Sequence, residues 1–196
     1  MCNLFKLKIN RESFIVHCKD YINQINPFPV GVEVGVLGGD FSFYILDVWP
    51  NITLFSVDVW AKQEDGHYID VNNRDNINFE EMYLNVLQRS KSFDNRSVIV
   101  RKLSNEAVQM FANESLDFVY LDANHSYQQV KEDLLLWYPK VKKHGIISGH
   151  DFITDGTISV DGVPTCFGVQ KAVKEFFQDR LVFHTDEAWS NWLHIK

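Results

Sequence analysis

Four residues that can carry protons or bind a metal ion lie in two short motifs of this chain. Asp122 and His125 belong to Leu-Asp-Ala-Asn-His, and His150 and Asp151 end the motif Ile-Ile-Ser-Gly-His-Asp. Each motif follows an apolar run that predicts a buried strand. Carboxylate oxygens with an imidazole nitrogen suit Mn²⁺ or a related divalent ion, and carboxylates alone suit Mg²⁺. Because histidine titrates near neutral pH, His125 or His150 could also take a proton from a hydroxyl group.

A second pattern, at residues 30–42, predicts where a cofactor binds. An apolar run ends in Gly35, Gly38 and Gly39 and leads into a predicted helix, so a ligand can approach bare backbone. The dinucleotide fingerprint is G-x-G-x-x-G, but here Glu33 occupies the first glycine position. An acidic side chain there would repel a pyrophosphate and suits a ligand with a cation, hydroxyls or an amino acid. The pattern therefore favours S-adenosylmethionine over NAD.

Asp58 ends the next predicted strand and is placed to contact a ribose. Its carboxylate has two acceptor oxygens, so it can accept hydrogen bonds from both ribose hydroxyls. NAD-binding enzymes share this feature, so Asp58 alone does not separate the two cofactors. Val59 or Trp60, directly after it, could pack on an adenine. The structural alternative is an aspartate in a solvated turn, followed by a core tryptophan.

The order of the predicted elements indicates an α/β fold. Apolar strands alternate with helices, which implies a Rossmann-like, doubly wound, mostly parallel seven-stranded sheet with helices on both faces. Polar residues recur where the strands end, and in such a sheet ligands bind at that edge. We expect a cofactor-binding domain at residues 30–196, preceded by an N-terminal helical extension at residues 1–29.

Three further segments carry weaker signals. Residues 11–26 have the spacing of an amphipathic helix. Residues 61–78 are polar and predict a loop or lid, and residues 153–167 predict a glycine-containing loop. Lys142 and Lys143 are predicted to lie at a solvated helix end.

Composition limits the possible partners. The chain has 196 residues, enough for one α/β domain, and a net charge of −7, which argues against nucleic acid and anionic membranes. No apolar stretch reaches the roughly 18 residues of a membrane span. The three cysteines form no C-x-x-C motif, and no signal peptide is recognisable, so we expect a cytoplasmic protein. Whether it forms a homo-oligomer is left open.

Together these motifs resemble those of the class I S-adenosylmethionine-dependent methyltransferases. The chain is most similar to small-molecule and sugar O-methyltransferases of the macrocin O-methyltransferase, cephalosporin-hydroxylase-like or methyltransferase-24 type. The resemblance covers residues 30–196. It rests on seven motifs: Glu33-x-Gly35-x-x-x-Gly39-Asp40-Phe-Ser42, Val57-Asp58, Ser104-Asn-Glu-Ala107, the segment from Leu116 to Tyr127, Asp133-Leu with Trp137, Gly145-Ile-Ile-Ser-Gly-His150-Asp151 and Trp192-Leu-His-Ile-Lys196. Two departures are His144-Gly145, where the family often has Gly-Gly, and Ala123-Asn124, where it often has Gly-Asp. The second bears on the geometry of a metal or acceptor.

The resemblance implies specific roles for these residues. The implied cofactor-binding residues are Glu33, Gly35, Gly39, Ser42, Asp58, Val59, Ser104, Asn105 and Asp122. The implied catalytic residues are Asp122, His125 and His150, and the implied ligands of Mg²⁺ or another divalent cation are Asp122, His150 and Asp151. Ser104 could instead, or as well, cap a helix, Asp122 could only orient the cofactor's amino acid, and the histidines could only brace loops.

The expected activity is methyl transfer from S-adenosylmethionine to a hydroxyl of a small polar acceptor such as a sugar. Other activities stay open at this point. One is an NAD-type Rossmann oxidoreductase, which Glu33 disfavours. Another is a non-catalytic S-adenosylmethionine-binding domain. A metal-dependent hydrolase built on Asp122, His150 and Asp151 would leave the glycine turn at residues 33–39 unexplained.

Overall fold

The computed structural model describes residues 3–64 and 68–196 of the chain. The strands are β1 (Asn3–Leu7), β2 (Val30–Val34), β3 (Thr53–Asp58), β4 (Ser97–Arg101), β5 (Leu116–Leu121), β6 (Val141–Gly149), β7 (Gly156–Val160), β8 (Val163–Phe167), β9 (Leu181–Thr185) and β10 (Trp192–Ile195). The α-helices are α1 (Arg11–Asn23), α2 (Asp40–Val48), α3 (Phe79–Ser90), α4 (Ser104–Ala107), α5 (Tyr127–Trp137) and α6 (Val169–Phe177). Short 3-10 helices lie at Lys91–Arg96, Val108–Met110 and Tyr138–Lys140.

In the described residues, eight strands form one sheet in the order β1-β9-β10-β6-β5-β2-β3-β4. All neighbouring strands are parallel except β10, which is antiparallel to β6 and β9. The Rossmann-like, mostly parallel fold predicted from the sequence is confirmed. The sheet has eight strands rather than seven because β1, in the segment predicted to be a helical extension, pairs with β9 from Asn3↔Leu181 to Leu7↔Thr185.

Helices pack on both faces of the sheet, and an apolar core lies between the sheet and the helices on each face. One core joins the sheet to α5 and α6 around buried Trp137 and Phe177. The other joins it to α1 and α2 around buried Phe14, Ile45 and Trp49. The parallel strands in the middle are largely buried, and β5 is buried at every position, because helices lie on both sides of them.

Two local predictions were wrong for identifiable reasons. Lys142 and Lys143 lie in strand β6 and not at a helix end, since Lys142 Nζ bonds the buried carboxylate of Asp117 at 2.9 Å. The predicted loop at 153–167 contains the hairpin β7–β8. Its two-residue turn is Asp161-Gly162, with φ values of 49° and 78°, as such hairpins require.

The turn after β2 depends on a glycine. Gly35 has φ 91°, and a Cβ there would lie 2.1 Å from the carbonyl oxygen of Asp122. Three residues on, Gly38 has open space where its Cβ would be. The first glycine is therefore required by close packing of two strand ends, whereas the second is not.

We expect Gly35→Ala to lower the free energy of unfolding by at least about 2 kcal/mol, because a left-handed backbone costs an L residue roughly 1–2 kcal/mol before the clash is counted. Gly38→Ala is the matched control and should stay within about 0.5 kcal/mol of the parent. Urea unfolding measures both. Equal stability of the two variants would contradict the packing of Gly35 on Asp122.

Candidate functional site

A cavity of about 610 Å³ opens at the carboxyl ends of β2, β3, β4, β5 and β6. Its lining includes nearly all the site residues predicted from the sequence: Glu33, Gly35, Asp58, Val59, Ser104, Asn105, Asp122, His125, His150 and Asp151. Gly39 and Ser42 lie behind this lining: Gly39 precedes α2 with φ 81°, and Ser42 is buried. The structure thus brings together residues from five separate strand ends.

Asp58 holds the glycine turn in place. One of its carboxylate oxygens accepts hydrogen bonds from the backbone N–H groups of Val36 and Leu37, at 2.8 and 2.9 Å. The other accepts from the N–H of Trp60 at 2.7 Å. Since an ionised carboxylate has about four acceptor positions, one position remains for a ligand.

Trp60 is part of the core. It is 1% exposed, its ring lies 5.1 Å from that of Tyr83, and its indole N–H donates to the carbonyl of Leu37 at 2.9 Å. Of the two residues predicted as alternatives for adenine contact, Val59 is half-buried at the cavity wall. Trp60 also lines the cavity, and it ties the end of β3 to the glycine turn.

Glu33 lies at the bottom of the cavity and is 1% exposed. Burial raises the pKa of its carboxyl to about 8, partly offset by a short hydrogen bond from the Ser42 hydroxyl. The nearby charge of Asp122 raises this pKa further, and that of Arg11 lowers it. The carboxyl is therefore mostly protonated at neutral pH, and a ligand cation beside it would favour the charged form.

Ser104 occupies the far end of the cavity, after β4. The cap of α4 is Leu103, so the predicted capping role of Ser104 is wrong. Its hydroxyl donates to Asp133 at 2.5 Å and accepts from the indole N–H of Trp137 at 2.9 Å. Asn105, next to it, is exposed at the rim.

Four acid–base residues meet at the ends of β5 and β6. His125 Nε2 lies 2.9 Å from Asp151 and 3.6 Å from Asp122. His150 Nδ1 lies 3.1 Å from Asp151 and 3.7 Å from Asp122. In the described chain, Asp122, His125 and Asp151 form a group whose ligand atoms all lie within 4.8 Å of one another. The metal ligands predicted from the sequence were Asp122, His150 and Asp151. This compact group contains His125 in place of His150.

Sequence analysis missed Asp70, which orients His125. Asp70 is 3% exposed, and its carboxylate lies 2.9 Å from His125 Nδ1. Burial alone would lower the pKa of His125, but the carboxylates of Asp122, Asp151 and Asp70 raise it well above its usual value. Nε2, on the other side of the ring, is buried without an aligned hydrogen-bond partner. Asp70 lies among the polar residues 61–78, where no spacing singles it out.

Asp151 is held in an unusual conformation. Its φ is 54°, a left-handed value that is uncommon for aspartate. Burial would raise the pKa of its carboxyl, but His125 and His150 lower it below its usual range. The carboxylate is therefore charged and aimed between the two imidazoles.

Arg11 is the second residue that sequence analysis missed. It begins α1, and its guanidinium Nη2 donates to Asp122 Oδ2 at 2.6 Å. Its Cζ lies 3.8 Å from the centre of the Phe41 ring. The N-terminal segment, predicted as a helical extension, thus supplies a positively charged side chain to the cavity. The position of Arg11 in the sequence does not indicate this role.

The predicted lid and loop form the outer wall of the cavity. Residues 68–73 and the β7–β8 hairpin meet through a hydrogen bond from the N–H of Cys166 to the carbonyl of Ile69, at 3.0 Å. Tyr68, Thr165 and Phe167 line the cavity, and the Phe167 ring lies 5.4 Å from that of His125. Residues 65–67 of the predicted lid lie outside the described residues.

Residues 32–152, more than half of the chain, match a family model described as a methyltransferase domain, of the methyltransferase-24 type. A curated relative, the uncharacterized protein y4gI of Sinorhizobium fredii, is 28% identical over 97 residues, which are 50% of this chain. The chain matches only 10% of that relative's length.

Solved structures share the fold at low sequence identity. A Staphylococcus aureus protein assigned as a candidate caffeoyl-CoA O-methyltransferase has a TM-score of 0.64 and 14% identity, over 97% of this chain and 85% of that one. A Corynebacterium glutamicum protein has a TM-score of 0.62 and 15% identity, over 97% and 83%. The Burkholderia thailandensis 1,6-didemethyltoxoflavin-N1-methyltransferase, solved with S-adenosylhomocysteine, has a TM-score of 0.54 and 10% identity, over 95% and 79%.

The Rossmann-like sheet, with a glycine turn and strand-end carboxylates around one cavity, together with the matched family model, defines a class I S-adenosylmethionine-dependent methyltransferase domain. With the family model matched over residues 32–152, the chain belongs to the methyltransferase-24 family. A nicotinamide cofactor is accordingly not favoured. In the part of the chain that the structure describes, every helix is too short or too polar to cross a bilayer.

Asp133 generates a testable pH dependence. It is 3% exposed, and burial raises the pKa of its carboxyl to about 7, while bonds from Ser104 and Gln129 lower it. Between the ordinary aspartate pKa and about 7, the folded state binds more protons than the unfolded state. Stability from this group is therefore full at acidic pH and is lost as pH rises through the folded pKa.

We expect Asp133→Asn to become more stable relative to the parent as pH rises from about 5 to 8, by up to about 3 kcal/mol, since one pKa unit corresponds to about 1.4 kcal/mol and about two pH units lie between pH 5 and the folded pKa. Thermal unfolding across this pH range measures the difference. Asp75→Asn, at a side chain that is 89% exposed, is the control. A constant difference between Asp133→Asn and the parent would contradict the raised pKa.

Proposed function

We propose that this protein methylates a hydroxyl oxygen of a small polar acceptor, with His125 as general base and a divalent cation at Asp122 and Asp151. The observation that carries this proposal is the setting of His125. Its Nδ1 is held by Asp70, and its Nε2 is buried between two carboxylates in the wall of the cavity. A divalent cation at Asp122 and Asp151 would offset the carboxylates that raise the pKa of His125, and the imidazole, held by Asp70 at Nδ1, could then accept a proton at Nε2.

The donor set at this site fits a divalent cation. Asp122 Oδ1 faces the two imidazoles at 3.6 and 3.7 Å, beyond hydrogen-bond distance, while Oδ2 is taken by Arg11. Asp122 and Asp151 offer carboxylate oxygens, which suit Mg²⁺ or Mn²⁺. When bound, the cation would polarise the acceptor hydroxyl and lower its pKa.

In the proposed reaction the acceptor oxygen attacks the sulfonium methyl carbon. The new C–O bond forms as the S–CH₃ bond breaks, the sulfur keeps the electron pair, and S-adenosylhomocysteine leaves. The hydroxyl proton goes to His125 Nε2, and Asp70 stabilises the imidazolium through Nδ1. Positioning supplies most of the rate, because methyl transfer needs oxygen, carbon and sulfur in line.

Three walls of the cavity support a small acceptor. Arg11, the segment at 68–73 and the β7–β8 hairpin enclose the acid–base residues, and Phe167 and Trp189 add aromatic surface. A site covered in this way suits a sugar or phenol better than a polymer. The net charge of −7 also disfavours nucleic acid as a substrate.

The proposal is tested by incubating the protein and Mg²⁺ with labelled S-adenosylmethionine and a panel of sugars and phenols. We expect an O-methyl product with at least one of them. His125→Ala should reduce its formation by about 10²-fold or more, as for loss of a general base. Affinity for S-adenosylhomocysteine by calorimetry should stay within about threefold, because His125 lies beyond the glycine turn.

His17→Ala, at an exposed position of α1, is the matched control and should keep the parent rate. Methyl transfer to nitrogen or carbon only, or a His125→Ala rate equal to that of the parent, would contradict the proposed chemistry.

A further inference from the structure

Arg11 has donors that the residues around it do not use. Its Nη2 bonds Asp122, and its plane lies against Phe41. Its Nε is buried with no hydrogen-bond partner in the described part of the chain. A guanidinium has five N–H donors in a rigid fork, and a buried donor left unbonded is costly. The buried Nε itself is closed to a ligand, but the side chain is 31% exposed, so the exposed part of this fork that lines the cavity is a place for an anion.

The charges around the cavity show why an anion would need this residue. Its lining carries seven acidic side chains, Glu33, Asp40, Asp58, Asp70, Asp122, Asp133 and Asp151. Arg11 and Lys102 are the arginine and lysine in that lining, and Lys102 is exposed after β4. The methionine end of S-adenosylmethionine carries an ammonium, which this acidic lining favours, and a carboxylate, which it repels. The carboxylate requires a cation beside it.

Arg11 lies at the correct end of the cavity for this role. Its Cζ is 5.5 Å from the ring of Tyr120, and Tyr120 pairs with Glu33 across β5 and β2. Asp58 and Ser104, the residues suited to the ribose and adenine, follow β3 and β4 on the other side of β2. The guanidinium is thus above the strand end where the glycine turn and Glu33 would receive the amino acid.

We propose that Arg11 binds the methionine carboxylate of S-adenosylmethionine and so makes the site selective for the intact amino acid over its decarboxylated form. The inference rests on the cofactor class assigned above. It also gives the segment before β2 a function, because α1 then closes the cofactor site. Asp122 holds the guanidinium in place, and Phe41 keeps its plane fixed.

The test is a ligand–variant cycle measured by calorimetry. The ligands are S-adenosylhomocysteine and decarboxylated S-adenosylhomocysteine, which keeps the ammonium and lacks only the carboxylate. The variants are Arg11→Gln, which keeps a polar stem without charge, and Arg11→Lys, which keeps the charge without the fork. Lys19→Ala, farther along α1 and outside the cavity lining, is the matched control.

For the parent we expect the intact ligand to bind at least about tenfold more tightly than the decarboxylated one, as for a charge-assisted hydrogen bond. Arg11→Gln should lose about 10- to 100-fold for the intact ligand and less than about threefold for the other. Arg11→Lys should fall between, and Lys19→Ala should match the parent.

Equal losses for both ligands in Arg11→Gln would overturn the proposal, since Arg11 would then act only through Asp122 or through the packing of α1. No loss for either ligand would overturn it as well. A parent that binds neither ligand would instead refute the cofactor assignment, an outcome distinct from the failure of Arg11 alone.

Discussion

The contact on which the whole site depends is the packing of Gly35 against the carbonyl of Asp122. A side chain at residue 35 would occupy the space of that carbonyl, at 2.1 Å. The contact joins the end of β2 to the end of β5, so the turn that receives the cofactor lies directly beside the residues that carry the acid–base chemistry. Hydrogen bonds from Val36 and Leu37 to Asp58 then fix the same turn to β3.

The second constraint is electrostatic. Most charged side chains in the cavity are carboxylates, and a different group offsets the negative charge of each one. Asp58 is stabilised by backbone N–H groups, Asp151 lies beside two imidazoles, and Asp122 is paired with Arg11. Glu33 has no such partner beyond Ser42, and burial raises its pKa to about 8. A cationic ligand would relieve this excess of negative charge, which accords with a sulfonium cofactor and a divalent ion.

The sequence was sufficient for the fold and for the residues that follow strands, because strand ends in a parallel sheet meet at one edge. Glu33, Asp58, Asp122 and His150 were found in this way. Arg11 and Asp70 could not be predicted in this way, because each reaches the cavity from a segment that is distant in sequence from the strand ends and contains no recognisable motif. The hairpin turn at Asp161-Gly162 was the one missed signal that local rules could have recovered.

Mn²⁺ titration followed by electron paramagnetic resonance tests whether Asp122 and Asp151 bind a cation while Asp70 holds His125 as a base. The account predicts that the parent binds Mn²⁺ and that Asp151→Asn weakens it at least about tenfold, as for loss of a charged ligand. Asp70→Asn should weaken Mn²⁺ binding much less than Asp151→Asn, because Asp70 contacts His125, the proposed base, and not the cation. Mn²⁺ affinity that is unchanged in Asp151→Asn, or as strongly reduced in Asp70→Asn, would contradict the account.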